Sequence, residues 1–449
     1  MIVAKFGGAV LDGSAGLRRA CDEIRALPKP LLVVASAFAN VTNMLERLAE
    51  TAVHDTAAAS GLLDHLVEYH AAIARETLAQ PAFGKWWSIA ESYAARLREV
   101  VNGLGIVREL SPRTLDLVVH FGERFSSALL LAALGEREDD MAMAGISALD
   151  LIITDAAHRY ARPDLALTRE RVDDQLRPAL RDAAVVITEG YIARSTSGQA
   201  TTMGRESSDY TATLLAELLG ADEVRIYRAV PGILTADPGV IPGARTLGRL
   251  SYGMANTLAE LGSKVLHPRT VVPVERASIP LVITAIGGPA TTIGTWGEGG
   301  CSITLLPEGE LISIETETAG TALDPFLRAL GAGAPVIWHH RLRRRVQVLT
   351  SGAYPGALPL GLIAEPARAE RKEVAVVSLV REEPPSGDDL ERFFAAVGGY
   401  APAAMQGGLD GHSISIALDR AAAPEALRAL HRRFVEQAEE VPRWQPQAL

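Results

Sequence analysis

Short apolar runs set between long helix-forming stretches constrain this chain more than any other feature. Ile2 to Phe6, Leu31 to Ala35, Val185 to Thr188 and Leu281 to Ile283 are brief and mostly apolar, and Glu223 to Tyr227 reads as a further strand. Runs of this kind suit strands buried on both faces, the habit of parallel sheets covered by helices. Pro30 and Ser36 bound the second run, and Pro280 precedes the last. Residues 41 to 105 lack strand runs and are rich in Ala, Leu, Glu and Arg, so several helices are expected there. Further helices are expected from about Arg113 through Leu134 and from Asp209 to Leu219, with Ser14 as the cap of a helix that follows the first strand. The predicted fold class is α/β, a three-layer αβα domain ending near residue 305.

The character then changes. Ile312 to Glu315, Val346 to Leu349, Val374 to Val380 and Ser413 to Leu418 are strand-like, with helical stretches at Asp388 to Val397 and Ala423 to Glu440. Pro- and Gly-rich segments such as Tyr354-Pro355-Gly356 and Pro384-Pro385-Ser386-Gly387 separate them. One or two small α+β units with antiparallel sheets are expected. At 449 residues the chain exceeds one ordinary core. The expected division is 1–305 and 306–449.

Composition removes several functions. The formal net charge is -10, and the densest basic spot is Arg341, Arg343, Arg344 and Arg345. One short cluster in an acidic chain reads as a charged surface strand or loop, not a nucleic-acid site. Cys21 and Cys301 are the only cysteines, so neither a disulfide framework nor a zinc cluster is implied. The N-terminus lacks a long apolar leader, and no apolar run is read as spanning a bilayer. A cytoplasmic protein is the default expectation.

Three segments carry chemistry. Lys5-Phe6-Gly7-Gly8 puts a lysine at a strand end before two glycines. Glycines let backbone amides approach anionic oxygens, and a following helix N-terminus adds positive potential. Alone, a Gly-Gly after a strand is most often a plain turn. Thr201-Thr202-Met203-Gly204-Arg205-Glu206-Ser207-Ser208-Asp209-Tyr210-Thr211 is a polar loop running into a helix. Asp209 there is either a simple cap or an acid that orients lysines or metal. Arg205 is either a surface charge or a bidentate carboxylate ligand. Gly262-Ser263-Lys264-Val265-Leu266-His267-Pro268 supplies a second lysine, an exposed helix-end charge in the bland reading. Phosphoryl transfer needs charge neutralisation, metal and alignment more than covalent chemistry. Two lysines, a Gly loop and an aspartate meet that need, and no hydrolase elbow or dinucleotide fingerprint competes.

These residues resemble the aspartate kinases of the amino-acid kinase superfamily. The resemblance rests on Lys5-Phe6-Gly7-Gly8, Thr42-Asn43, Phe121-Gly122-Glu123-Arg124-Phe125-Ser126-Ser127, and Thr201 to Arg205 with Ser208 to Thr211. It continues through Val230-Pro231-Gly232-Ile233, Thr235-Ala236-Asp237-Pro238 and Gly262 to Pro268, in order, over roughly residues 2 to 295. It implies transfer of the ATP γ-phosphate to the β-carboxylate of L-aspartate, with Mg²⁺. Lys5 and Lys264 would stabilise the transferring group, Asp209 would hold lysines and Mg²⁺, and Gly7 and Gly8 would bind phosphates. Glu123 would meet the substrate ammonium and Arg205 its α-carboxylate, with Ser36, Thr42 and Ser208 in the same pocket. Arg228, Ala229, Gly232 and Leu234 would line the nucleotide. The C-terminal region is similar in length and place to paired ACT modules, which implies a regulatory region and a homodimer.

The chain departs from the family pattern on the nucleotide side. Ala9-Val10 replaces a small polar pair, Ala229 an acidic residue, Leu234 a tyrosine and Gly239 an arginine, and Glu206 adds a charge. His339-His340-Arg341-Leu342-Arg343-Arg344-Arg345 stands where effector sites tend to carry a Ser-rich strand. Three functions follow as expectations: an active aspartate kinase, a catalytically weak homologue that binds or regulates, and a kinase for another amino acid.

Overall fold

The computed structural model describes residues 1–136, 141–204, 206–263, 265–315, 323–342, 345–363, 367–407 and 411–437. Arg205 and Lys264 lie outside the described residues, as do Arg343 and Arg344. The chain divides into two units, Met1–Gly232 with Arg269–Gly294, and Ile233–Pro268 with Thr295–Leu449.

In chain order the strands are β1 (Ile2–Phe6), β2 (Leu31–Ala35), β3 (Met143–Gly145), β4 (Ile153–Thr154), β5 (Val185–Glu189), β6 (Ile192–Ser195), β7 (Ala200–Thr202) and β8 (Glu223–Tyr227). β9 (Arg249–Ser251) falls in the second unit, and β10 (Leu281–Thr284) and β11 (Ala290–Gly294) return to the first. The main sheet of the first unit runs β3-β5-β2-β1-β8-β10-β11. Its pairings are parallel except for β10 with β11. β4, β6 and β7 form a separate small sheet.

Helices cover both faces of the main sheet, and the strand alternation sorts side chains between them. Ala4 and Phe6 of β1 join a core with residues of α1 (Gly13–Ala26), α2 (Val41–Ala52), α3 (Thr56–Thr77), α4 (Gln80–Val107) and α6 (Phe121–Leu134). Lys5 points to the opposite face, where the Ser208–Leu219 helix packs on β1. The expected helix from Arg113 to Leu134 is two, α5 (Pro112–Val119) and α6, which meet at His120. The stretch Pro112–Leu134 is long and apolar enough to cross a membrane by length and composition alone; 67% of its most apolar 18 residues is buried within the fold, as in a core helix. Asp12, not Ser14, occupies the N-cap position of α1.

The second unit is built on an antiparallel sheet of order β13-β14-β12-β15-β17-β16. These strands are β12 (Cys301–Glu315), β13 (Val336–Leu342), β14 (Arg345–Ser351), β15 (Arg368–Arg381), β16 (Ala404–Gly407) and β17 (Ser413–Leu418). Three core clusters lie along the long strands, one of them around Leu311, Trp338, Leu349 and Val376. Ile303, Val377 and Leu379 pack with Phe393, Leu427 and Leu430, whereas Ile312 and Ile314 pack with Phe326, Leu330 and Val348. The expected α+β architecture with an antiparallel sheet is present.

Candidate active site

The parallel strands end together, and their carboxyl ends gather the polar residues of the first unit. Ligands of open α/β sheets bind in this crevice. Lys5 pairs in register with Val34 of β2 and Ile226 of β8, which centres it in the sheet. Its Nζ lies 2.7 Å from Asp209 Oδ1, and Arg228 Nη2 pairs with Asp209 Oδ2. Asp209 is 1% exposed. Burial alone would raise its pKa, but Lys5 and Arg228 together hold it below the usual carboxylate value. The capping reading of Asp209 fails on geometry: Ser207 is at the N-cap, and the Asp209 side chain is spent on two cations.

A buried ion pair is poor evidence for stability, because desolvation opposes the attraction. Here two cations face one carboxylate, so the group carries excess positive charge at the strand ends. Such a group suits an anion. The backbone beside it is shaped to match. Gly8 lies so close to the next loop that a Cβ would sit 2.7 Å from the Ala37 carbonyl oxygen, so only glycine fits. Gly7 N–H donates to the Tyr227 carbonyl at 3.2 Å, whereas Gly8 N–H has no partner among the described residues.

The acidic side of the crevice comes from α6. Glu123 is 3% exposed, and its Oε1 accepts a 3.3 Å hydrogen bond from Ala37 N–H. Its Oε2 is buried with no partner among the described residues. Burial pushes its carboxyl pKa up to about 8, against the Ala37 hydrogen bond and the attraction of Lys5. Ser207 Oγ, Thr188 Oγ1 and Arg228 Nε are also buried without partners among the described residues. Orphaned polar atoms are costly in a finished core and mark a place that awaits a polar ligand.

The model of the amino acid kinase family matches residues 1–285. The chain belongs to the amino acid kinase family. Over 291 residues this kinase is 34% identical to the lysine-sensitive aspartokinase 3 of Escherichia coli, a match covering 64% of this chain and 62% of that protein. Over 295 residues it is 30% identical to the aspartokinase of Chlamydia trachomatis, covering 66% and 64%. The match thus spans somewhat less than two thirds of the length of these relatives. Its fold is similar to that of E. coli aspartokinase III in complex with aspartate and ADP, with a TM-score of 0.84 at 24% identity over 96% of this chain and 99% of that one. For the same enzyme in complex with lysine and aspartate, the TM-score is 0.76 at 25% identity over 97% and 99%.

The remaining expected residues of this amino acid kinase fall as follows. Ser36 follows β2; its N–H donates to the Phe6 carbonyl and its carbonyl accepts from Ser126 Oγ at 2.6 Å. Thr42 is half-buried in the first turn of α2. Ser208 opens its helix against Gly190, where a Cβ would lie 2.5 Å from Ser208 Cβ. Ala229 is exposed, Gly232 has φ 95°, and Leu234 belongs to the second unit. Arg205 and Lys264 lie outside the described residues.

Sequence reasoning passed over the scaffold of the site. Asp116 is fully buried and accepts from Thr202 Oγ1 (2.7 Å), Thr202 N–H (3.2 Å) and Arg159 N–H (3.0 Å), with His158 Nδ1 at 3.0 Å. Arg159, with φ 73°, reaches Glu46 and donates to the Tyr191 hydroxyl. A lone acid among Leu115, Leu117 and Val118 was the available signal, since a buried carboxylate needs partners.

Proposed function

We propose that this amino acid kinase is an aspartate kinase, transferring the γ-phosphate of ATP to the β-carboxylate of L-aspartate to give 4-phospho-L-aspartate and ADP in aspartate-family amino-acid biosynthesis. The observation that carries the reading is the Lys5–Asp209–Arg228 group, net positive, beside a buried Glu123 whose Oε2 has no partner among the described residues. Aspartate offers one cation and two anions, and such a crevice tells them apart. The names of the relatives, aspartokinases, support the substrate. A carboxylate oxygen attacks the γ-phosphorus in line, the bond to the bridging oxygen breaks, and ADP leaves with those electrons.

Lys5 and Lys264 stabilise the transferring group, and Asp209 holds Lys5 and Arg228 in place. The Gly7-Gly8 turn, with Arg228, Ala229, Gly232 and Leu234, receives the nucleotide. Glu123 takes the ammonium and Arg205 the α-carboxylate, with Ser36, Thr42 and Ser208 around the side chain. Both Asp209 oxygens face cations, and among the described residues no group of three His, Cys, Asp or Glu could cage a metal. Mg²⁺ therefore fits as an ion carried by the nucleotide, where it neutralises phosphate charge. Residues 1–305 form the catalytic part and 306–449 a regulatory part of two ACT-like units that pairs as a homodimer. The separate helix-covered clusters around Phe393 and around Phe326 support that reading. The enzyme acts in the cytoplasm.

The test is coupled ADP release across a panel of amino acids, with Lys5→Ala alongside. Aspartate should give the fastest release, and Lys5→Ala should lower kcat roughly a hundredfold or more. Folded protein that releases no ADP with aspartate, ATP and Mg²⁺ overturns the reading; faster turnover of another amino acid reassigns the substrate. A catalytically weak homologue that serves as a binding or regulatory subunit is favoured by Ala229, Leu234 and Gly239 on the nucleotide side. Calorimetry showing micromolar ATP binding counts against it.

A further inference from the structure

The first unit contains a cavity apart from the crevice just described. Its volume is about 460 Å³, within the range of small-molecule sites. Trp86 of α4, Leu131 of α6 and Ile146 after β3 give it apolar walls, and Lys85, Arg124 and Glu189 are its charged lining. Lys85 is exposed, so the cavity opens to solvent on that side.

Its polar groups describe an occupant. The Arg124 guanidinium is held over the Tyr93 ring, 4.4 Å from the centroid, and lies 5.8 Å from that of Phe121. Stacking of this kind fixes the guanidinium plane and leaves its edge for hydrogen bonds. Arg124 Nε and Trp86 Nε1 are both buried, and neither has an acceptor among the described residues. A stacked guanidinium on the cavity wall, with an ammonium at its border, suits an acceptor-bearing anion. Glu189 is held by Ser127 Oγ at 3.2 Å and Ala148 N–H at 2.6 Å; burial raises its pKa while the Arg124 charge lowers it, and Lys85 adds a second cation to the lining.

We propose that this cavity is a second ligand site that takes a small organic carboxylate, its anionic end on Arg124 and its aromatic or aliphatic body against Trp86, Leu131 and Ile146. The site is coupled to the crevice through two shared elements. Consecutive residues of α6 serve the two places, Glu123 the crevice and Arg124 the cavity. Glu189 ends β5, and the next residue, Gly190, is packed on Ser208. An occupant that shifts α6 therefore alters the setting of Glu123.

This inference goes beyond the kinase reading and is tested without turnover. Phenylacetate is titrated calorimetrically into the full chain, with 2-phenylethylamine as the control of opposite charge. Phenylacetate should bind with a Kd below about 1 mM, and 2-phenylethylamine should not bind. Arg124→Gln removes the charge, and Ala128→Trp fills the space from a position that lines the cavity. Each should weaken phenylacetate at least about tenfold, with circular dichroism confirming that the variant is folded. No heat from phenylacetate or from hexanoate with the wild-type chain overturns the proposal. So does binding that survives in a folded Ala128→Trp or Arg124→Gln protein.

Discussion

Replacing Glu123 by Gln should stabilise the ligand-free protein while removing its hold on the amino acid. The carboxyl is buried and its pKa is pushed from 4.5 to about 8, mainly by burial. The folded value lies above the unfolded one, so the folded state binds more protons across that window and stability falls as pH rises through it. Integration between about pH 5 and pH 7 gives a loss of about 2–3 kcal/mol from this one group, and a further loss of about 1 kcal/mol from pH 7 to pH 9. Gln does not titrate and lacks that loss. Glu123 is the titrating group removed, so the difference in stability between the two proteins chiefly reports it. Urea denaturation at the three pH values measures it: the variant should gain on the wild type as pH rises, by about 2 kcal/mol or more in all. In calorimetry, aspartate should bind the variant roughly a hundredfold less tightly, since a charge-assisted hydrogen bond is lost from a buried place. A wild-type and variant difference that is flat with pH would refute the argument that Glu123 is held at a cost for its ligand.

Two further outcomes follow from the same geometry. Gly8→Ala places a Cβ at 2.7 Å from the Ala37 carbonyl oxygen, so the turn must shift. Melting should show a loss of about 1–3 kcal/mol, and ATP titration a matching loss of affinity. Asp116→Ala strands the Thr202 and Arg159 N–H donors and the Thr202 hydroxyl in a buried place. The expected cost is about 3–5 kcal/mol by urea denaturation, and the isosteric Asp116→Asn should cost less.

The sequence by itself determined the elements that local chemistry controls. The Ile2–Phe6, Leu31–Ala35, Glu223–Tyr227 and Ser413–Leu418 strands are short apolar or alternating runs, and each forms where read. The Lys5-Phe6-Gly7-Gly8 turn was also legible as a turn, and its chemistry only together with the Thr201–Thr211 and Gly262–Pro268 segments. β12 was seen only in its last residues. Pro307 within it suggests a break, yet the strand continues from Cys301 to Glu315 with a register shift between Leu306 and Gly309 that absorbs the proline. Of the arginine cluster, Arg341 falls in β13, the edge strand of its sheet, and Arg345 begins β14.

Tertiary structure decided the chemistry. Nothing local tells Asp209 to leave its capping position for Lys5 and Arg228; parallel pairing of β1 with β8 and the Ser208–Leu219 helix packed on β1 bring the three together. The raised pKa of Glu123 is likewise a property of burial, not of its neighbours in the chain. The Asp116 node and the cavity beside Arg124 depend on contacts between segments far apart in sequence. Secondary structure follows from spacing along the chain, whereas charge pairing and desolvation depend on what lies across from a residue, which only the folded arrangement supplies.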